Sequence, residues 1–177
     1  MNWRLILAAS LGAVTLACTP EPADDDAYDR VMSYDTTSAR LARGSDTLRL
    51  RLELALAGEQ KTMGLMERRQ LADDAGMLFV YDSTQSADAG FWMYRTRIPL
   101  DIAFLDSAGV IRSIRSMVPC PTTIAEGCPT YAPGTPYRYA LEVNAGYFAR
   151  NAVGLGHTLV LQDLPSKSAA GTSPPPR

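Results

Sequence analysis

The chain has 177 residues, 46% of them hydrophobic, and a formal net charge of −2 at neutral pH. That is enough apolar material for one domain with a sizeable core, plus tails. The near balance of charge, with no basic patch and no interleaving of aromatic and basic residues, excludes nucleic acid as a partner.

Residues 1–17 read as an export signal. Arg4 supplies a positive start, and Leu5 to Leu16 form an apolar run too short to span a membrane. Ala17-Cys18 then looks like the end of a bacterial lipobox, although Thr15 stands where leucine is usual. Cys18 is therefore expected to be lipidated and to become the first mature residue; an ordinary signal with a spare cysteine is the alternative. Acyl chains on Cys18 would hold the protein to the membrane, each buried methylene contributing about 0.8 kcal/mol. Thr19, rather than aspartate, follows the cysteine. By the sorting rule of such lipoproteins, that implies the periplasmic face of the outer membrane rather than the inner membrane. Residues 19–46 carry seven Asp or Glu against three Arg with no apolar period, so residues 18–46 read as a lipidated cysteine and a solvated acidic tether.

The folded part is expected over residues 47–164, with eleven Lys or Arg against twelve Asp or Glu. Thr47 to Ala57 alternates strictly, with Leu48, Leu50, Leu52, Leu54 and Leu56 on one side and Arg49, Arg51 and Glu53 on the other, which predicts a half-buried strand. Glu59 to Met66 predicts a short helix in which Gly64 invites close packing of another backbone. Asp73-Asp74 marks a turn, Gly76 to Tyr81 a central strand, and Asp82 to Ala89 a polar loop. Phe91 to Thr96 reads as extended, and Pro99 forces Ile98 out of helix. Leu100 to Leu105 and Val110 to Val118 form strands around a hairpin loop at Asp106 to Gly109.

Cys120 and Cys128 enclose a short loop rich in turn residues. In an exported protein they are expected to form a disulfide, whose loop closure is worth roughly 2.5 kcal/mol. Two free thiols or a redox couple are the alternatives, though the spacing is too wide for a C-x-x-C motif. Tyr137 to Val143 is a further strand, Tyr147 to Ala152 a short helix, and His157 to Leu161 the last strand. Pro165 to Arg177 is Ser-, Ala-, Gly- and Pro-rich and reads as a disordered tail. The elements together predict an all-β domain, a sandwich or partly open barrel, with one or two short helices.

Six stretches in order, Gly64-Leu65-Met66, Gly76 to Phe79, Phe91-Trp92-Met93, Thr96, Ile98 to Ile102 and Leu141 to Gly146, give a resemblance to domain-of-unknown-function family 192 over about residues 47 to 162. The resemblance implies a small β-rich domain, often exported, and brings no activity with it. Tyr94-Arg95 departs from the family's usual Lys-Asn, and Glu67 from its usual aromatic, so no role of that lysine or asparagine carries over.

Three sets of residues could carry chemistry. In an extended Phe91–Thr96, Trp92, Tyr94 and Thr96 share a face. Trp92 and Tyr94 then offer a stacking platform, and Arg95, Arg97, Asp101 and Glu142 offer polar contacts for a ring-bearing ligand; the plainer reading makes Trp92 a core residue. Asp101 and Glu142 each interrupt an apolar strand. As a pair they could act as acid and base on cell-wall or glycan substrates, or they are solvated or structurally buried carboxylates. Met63-x-x-Met66, with Met77, Met93 and Met117, would suit Cu(I) if not simply filling the core. His157, the only histidine, has no plausible catalytic partner. The leading expectation is an envelope lipoprotein whose β domain binds a small molecule or an envelope protein through Trp92, Tyr94, Arg95, Thr96, Asp101 and Glu142, without catalysis or cofactor. Hydrolysis through Asp101 and Glu142, and Cu(I) binding through Met63 and Met66, are the alternatives.

Overall fold

The computed structural model describes residues 32–161. The expected signal peptide, Cys18 and the tail from Pro165 lie outside the described residues. Nine strands and two short helices follow one another: β1 (Asp35–Arg43), β2 (Asp46–Ala55), α1 (Gly58–Met63), β3 (Ala75–Gln85), β4 (Phe91–Trp92), β5 (Leu100–Leu105), β6 (Ile111–Met117), β7 (Thr130–Tyr131), β8 (Tyr137–Asn144), α2 (Tyr147–Arg150) and β9 (Thr158–Leu161). Seven strands form one mixed sheet in the order β6-β5-β8-β3-β2-β1-β9, and β4 and β7 pair separately. The fold is therefore β-rich with two short helices, as its alternating segments imply.

The sheet is not closed, but its two edges meet at one corner. Ile111 N–H donates to His157 O at 2.9 Å, and Leu159 N–H donates to Gly109 O at 2.9 Å. Both faces are covered. One holds Leu41, Leu50, Leu52, Leu54, Leu78, Leu141, Val143 and Leu159, closed by Tyr147 and Phe148 of α2. The other holds Met77, Phe79, Met93, Leu100, Ile102, Phe104 and Tyr137, covered by the chain around Leu65, Phe91 and Tyr131. A strand buried on both faces cannot show period two, which is why β5 reads as a continuous apolar run interrupted only by Asp101.

Four expectations change. The tether does not extend to residue 46. Asp35–Arg43 is a strand, paired antiparallel with β2 from Asp35↔Leu54 to Arg43↔Asp46, and it buries Ala39 and Leu41. Its inward residues are Thr37, Ala39 and Leu41 and its outward ones Thr36, Ser38 and Arg40, so the apolar alternation is too weak to stand out from an acidic stretch. The helix stops at Met63, because Gly64 adopts φ 49°, and it receives the ring of Phe79 rather than a backbone. A Cβ there would lie 3.2 Å from Phe79 Cζ. The strand from Ala75 runs on to Gln85, through half of the expected polar loop. Finally, only Phe91–Trp92 of the expected Phe91–Thr96 strand is extended. The chain then turns: Thr96 N–H donates to Met93 O at 3.1 Å, and Arg95 sits at φ 57°.

Candidate functional site

The turn after β4 rearranges the expected binding residues. Trp92 remains exposed, at 42% of its free area, and its ring lies 5.5 Å from that of Tyr94 at an interplanar angle of 40°. Met93 is buried in the core and Thr96 is buried beneath the turn. Trp92 and Tyr94 are thus neighbouring rings on the surface, but they are brought together by the turn and not by strand alternation.

Beside these rings lies a cleft of about 450 Å³, lined by Glu67, Tyr94, Arg95, Thr96 and Arg97 on one side and by Pro119, Cys120, Thr122 and Thr123 on the other. The second wall is the start of the disulfide loop. Cys120 and Cys128 are bonded, with an S–S distance of 2.07 Å. Cys120 N–H donates to Met93 O at 3.3 Å, tying this wall to the first.

Glu67 organises the first wall. Its Oε1 accepts from Arg95 Nε at 2.7 Å, and its Oε2 accepts from Arg97 Nε at 2.5 Å and also pairs with Arg97 Nη2. Glu67 N–H donates in return to Arg95 O at 2.7 Å. Hydrogen bonding from Arg95, and then from Arg97, holds the Glu67 carboxyl below the usual carboxylate range despite some desolvation, so it is ionised at neutral pH. Both ends of this pairing sit in left-handed backbone, Glu67 at φ 62° and Arg95 at φ 57°. Residues with a Cβ enter that region at a cost of roughly 1 to 3 kcal/mol each, and such strain concentrates at ligand-binding positions. Glu67 and Arg97 carry more of this site than the sequence reading assigned them. No local pattern marks a non-glycine residue with positive φ, so only the spacing of Arg95 and Arg97 along one segment was visible.

Asp101 and Glu142 do not belong to the cleft or to each other. In the β5–β8 ladder Asp101 pairs with Val143 and Ile102 pairs with Glu142. Adjacent rungs direct side chains to opposite faces, so a sheet separates the two carboxyls. That removes the geometry a paired acid and base requires. Asp101, 4% exposed, accepts from Ser116 Oγ at 2.7 Å and from Gly146 N–H at 2.8 Å. Gly146, at φ 77°, turns the chain from β8 into α2, so Asp101 bolts that turn to β5 and β6. Glu142 faces the other way, between Met77 on β3 and Ile102 on β5. No side-chain hydrogen bond reaches its carboxyl among the described residues, and burial pushes it up to about 8.

The methionines disperse likewise. Met77, Met93 and Met117 fill the second core cluster, and Met66 is buried. Met63 ends α1, and Gly64 breaks the helix before Met66, so the two thioethers do not share a helical face. Among the described residues no group of three or more His, Cys, Asp or Glu could hold a metal.

Residues 39–161 match the model of domain-of-unknown-function family 192, described as "Uncharacterized ACR". The chain belongs to this family. A search of curated proteins gives no match. Two solved structures are similar. A proposed transcription regulator from Sinorhizobium meliloti 1021 is 37% identical with a TM-score of 0.66, the match covering 73% of this chain and 96% of that one. A protein of unknown function from Novosphingobium aromaticivorans DSM 12444 is 26% identical with a TM-score of 0.64, covering 84% and 98% respectively. Family 192 thus accounts for the sheet, while its name carries no activity to the cleft.

Proposed function

We propose that this family-192 domain is a non-catalytic binding module, carried on an exported, lipid-anchored protein of the bacterial envelope, and that its ligand enters the cleft between the Glu67–Arg97 wall and the disulfide loop. The observation that carries the reading is the cleft itself: the Tyr94 ring, two arginines and three threonines line it where the backbone is strained at both Glu67 and Arg95. Pockets that combine a few directed polar groups with aromatic surface are the usual small-molecule sites. The proposed surface retains Trp92, Tyr94 and Arg95, with Thr96 buried beneath them, and leaves out Asp101 and Glu142, which are buried within the sheet. Hydrolysis through Asp101 and Glu142 loses its support with their placement on opposite faces. Cu(I) binding loses the helical pair on which it rested. The regulator name of the Sinorhizobium protein is not extended to this chain, whose folded part is nearly electroneutral and whose Arg51, Arg95, Arg97 and Arg112 each face a carboxylate.

The test is a thermal-shift screen of the full oxidised chain against small ring-bearing compounds, glycans and cell-wall fragments, repeated with Trp92→Ala and Arg97→Ala. A ligand at a hundred times its dissociation constant adds about 2.7 kcal/mol. A shift lost in both variants supports the cleft; a shift that survives both, or silence across the panel, overturns it. Anchoring is checked separately by palmitate labelling, which Cys18→Ala should abolish.

A further inference from the structure

We infer that a second cleft, against the open edge of β6, is a binding site for an organic carboxylate that carries a short apolar chain. This cleft shares no lining residue with the one beside Glu67 and does not depend on it.

β6 ends the order of the seven-stranded sheet, so beyond the corner at Ile111 no strand pairs with its outer side among the described residues. A cleft of about 450 Å³ lies there, lined by Arg112 to Arg115 of the strand, by Pro133 to Thr135 and by Gly154 and Leu155. The two loops are tied down. Gly134 N–H donates to Ala87 O at 3.0 Å, Gly154 N–H to His157 Nδ1 at 3.0 Å, and Gly156 N–H to Ile111 O at 2.9 Å. Walls fixed in advance lower the ordering cost of binding.

The charged side chains that line this cleft are Arg112 and Arg115, with no acid beside them. Arg112 gives Nε and Nη2 to Asp106, so its charge is met. Arg115 differs. Its Nε, Nη1 and Nη2 donate to Ala132 O, Ile114 O and Pro133 O at 3.1, 2.9 and 2.9 Å, and among the described residues to no carboxylate. Those three bonds leave one N–H on each Nη of the guanidinium. Carbonyl dipoles hold the group in place without cancelling its charge. Two positioned donors and a single surplus charge match the two oxygens of a carboxylate. Gly134 gives the guanidinium room, since at φ 73° a Cβ there would lie 3.3 Å from Arg115 Nη2.

Ser113 is an independent observation. It pairs with Phe104 on β5, is 5% exposed, and its Oγ has no hydrogen-bond partner among the described residues. Buried hydroxyls are almost always bonded. A carboxylate entering the cleft that Ser113 lines supplies the missing acceptor. Leu155, 66% exposed at the same cleft, offers apolar surface, so the ligand has a use for a chain as well as a charge.

The experiment follows amide NMR signals of the full oxidised chain during titration with hexanoate, acetate and 1-hexanol. Hexanoate should shift Ser113, Arg115 and Leu155 saturably, acetate should need roughly tenfold more, and 1-hexanol should leave them unmoved. Arg115→Gln should weaken hexanoate by about tenfold or more, but it also frees the carbonyls of the 132–134 loop. Ser113→Ala therefore decides, because it breaks no hydrogen bond of the fold. It should weaken hexanoate by roughly tenfold while the melting temperature holds or rises. Leu155→Ser should bring hexanoate down to the affinity of acetate. The inference is overturned by any of four results: no saturable shift with hexanoate, 1-hexanol or acetate binding as tightly as hexanoate, an affinity indifferent to Ser113→Ala, or shifts confined to Glu67, Tyr94 and Arg97. The last would place the carboxylate in the other cleft and support that site instead.

Discussion

Asp101 and Glu142 stand on neighbouring rungs of one ladder, equally buried at 4% exposure, on strands of the same sheet. Asp101 meets a hydroxyl and a backbone N–H that lie in place to satisfy it. Glu142 meets Met77 and Ile102. What separates them is therefore the donors present on each face and not depth. One carboxyl is a structural bolt, the other a group the fold keeps by leaving it protonated.

The largest effect that would sharpen this comparison is in pH. The Glu142 carboxyl sits near 8 in the folded chain, against an ordinary value of 4.5. Between those values the folded state holds a proton that the unfolded state has released, so stability falls as pH rises through this window and levels off above it. The full shift corresponds to up to about 5 kcal/mol, at 1.36 kcal/mol for each pH unit. Glu142→Gln, which cannot ionise, should flatten the slope and exceed the parent in stability above pH 8. Urea unfolding from pH 5 to 9 measures it; a variant with the parent's slope would show that another group is responsible.

For Asp101 the effect should come from its bonds. Asp101→Ala leaves Ser116 Oγ and Gly146 N–H without their acceptor, at a cost of about 3 kcal/mol, since a donor left unsatisfied costs roughly 1 to 3 kcal/mol. Asp101→Asn keeps one acceptor and should lose less. Denaturant midpoints of both variants against the parent check the order, and equal loss would mean that the volume of the side chain matters more than its bonds.

Next comes the disulfide. Cys120→Ser with Cys128→Ser should lower stability by about 2.5 kcal/mol, the closure entropy of a short loop. Hydrogen exchange should quicken around Met93 and Cys120, whose backbone bond ties the two walls of the cleft, and much less in β5 and β8. Uniform quickening would place the disulfide in the global unfolding unit.

How much of this was legible in the sequence follows from range. β2 could be read from its own leucines, and the β5–β6 hairpin from Asp106 to Gly109, because period and turn chemistry are local. β1 was not, because its buried residues are only Ala39 and Leu41 among polar neighbours. Strand alternation in the sequence put Arg95 on the opposite face from Trp92 and Tyr94, whereas a turn closed by Thr96 N–H to Met93 O, with Arg95 O accepting from the distant Glu67 N–H, sets where these side chains lie. That Asp101 and Glu142 face apart is a matter of register between β5 and β8, and one step of register reverses every side chain. Sequence spacing holds no information about it.

The smallest effect on stability belongs to Glu67. Its own side chain is only 17% exposed, but both arginines are about half exposed, so solvent screens the pairs. Its depressed carboxyl contributes stability that is present above the ordinary value near 4.5 and lost as pH falls through the lower folded value. After allowance for screening, Glu67→Gln should change unfolding free energy at neutral pH by under about 1 kcal/mol. The strain at φ 62° is unaltered by that substitution, because glutamine meets the same backbone restrictions as glutamate. The melting temperature of Glu67→Gln should therefore stay nearly constant. A loss above roughly 2 kcal/mol in Glu67→Gln would instead make the Arg95–Glu67–Arg97 cluster a second structural bolt like Asp101, and it would account for the strained backbone without any ligand.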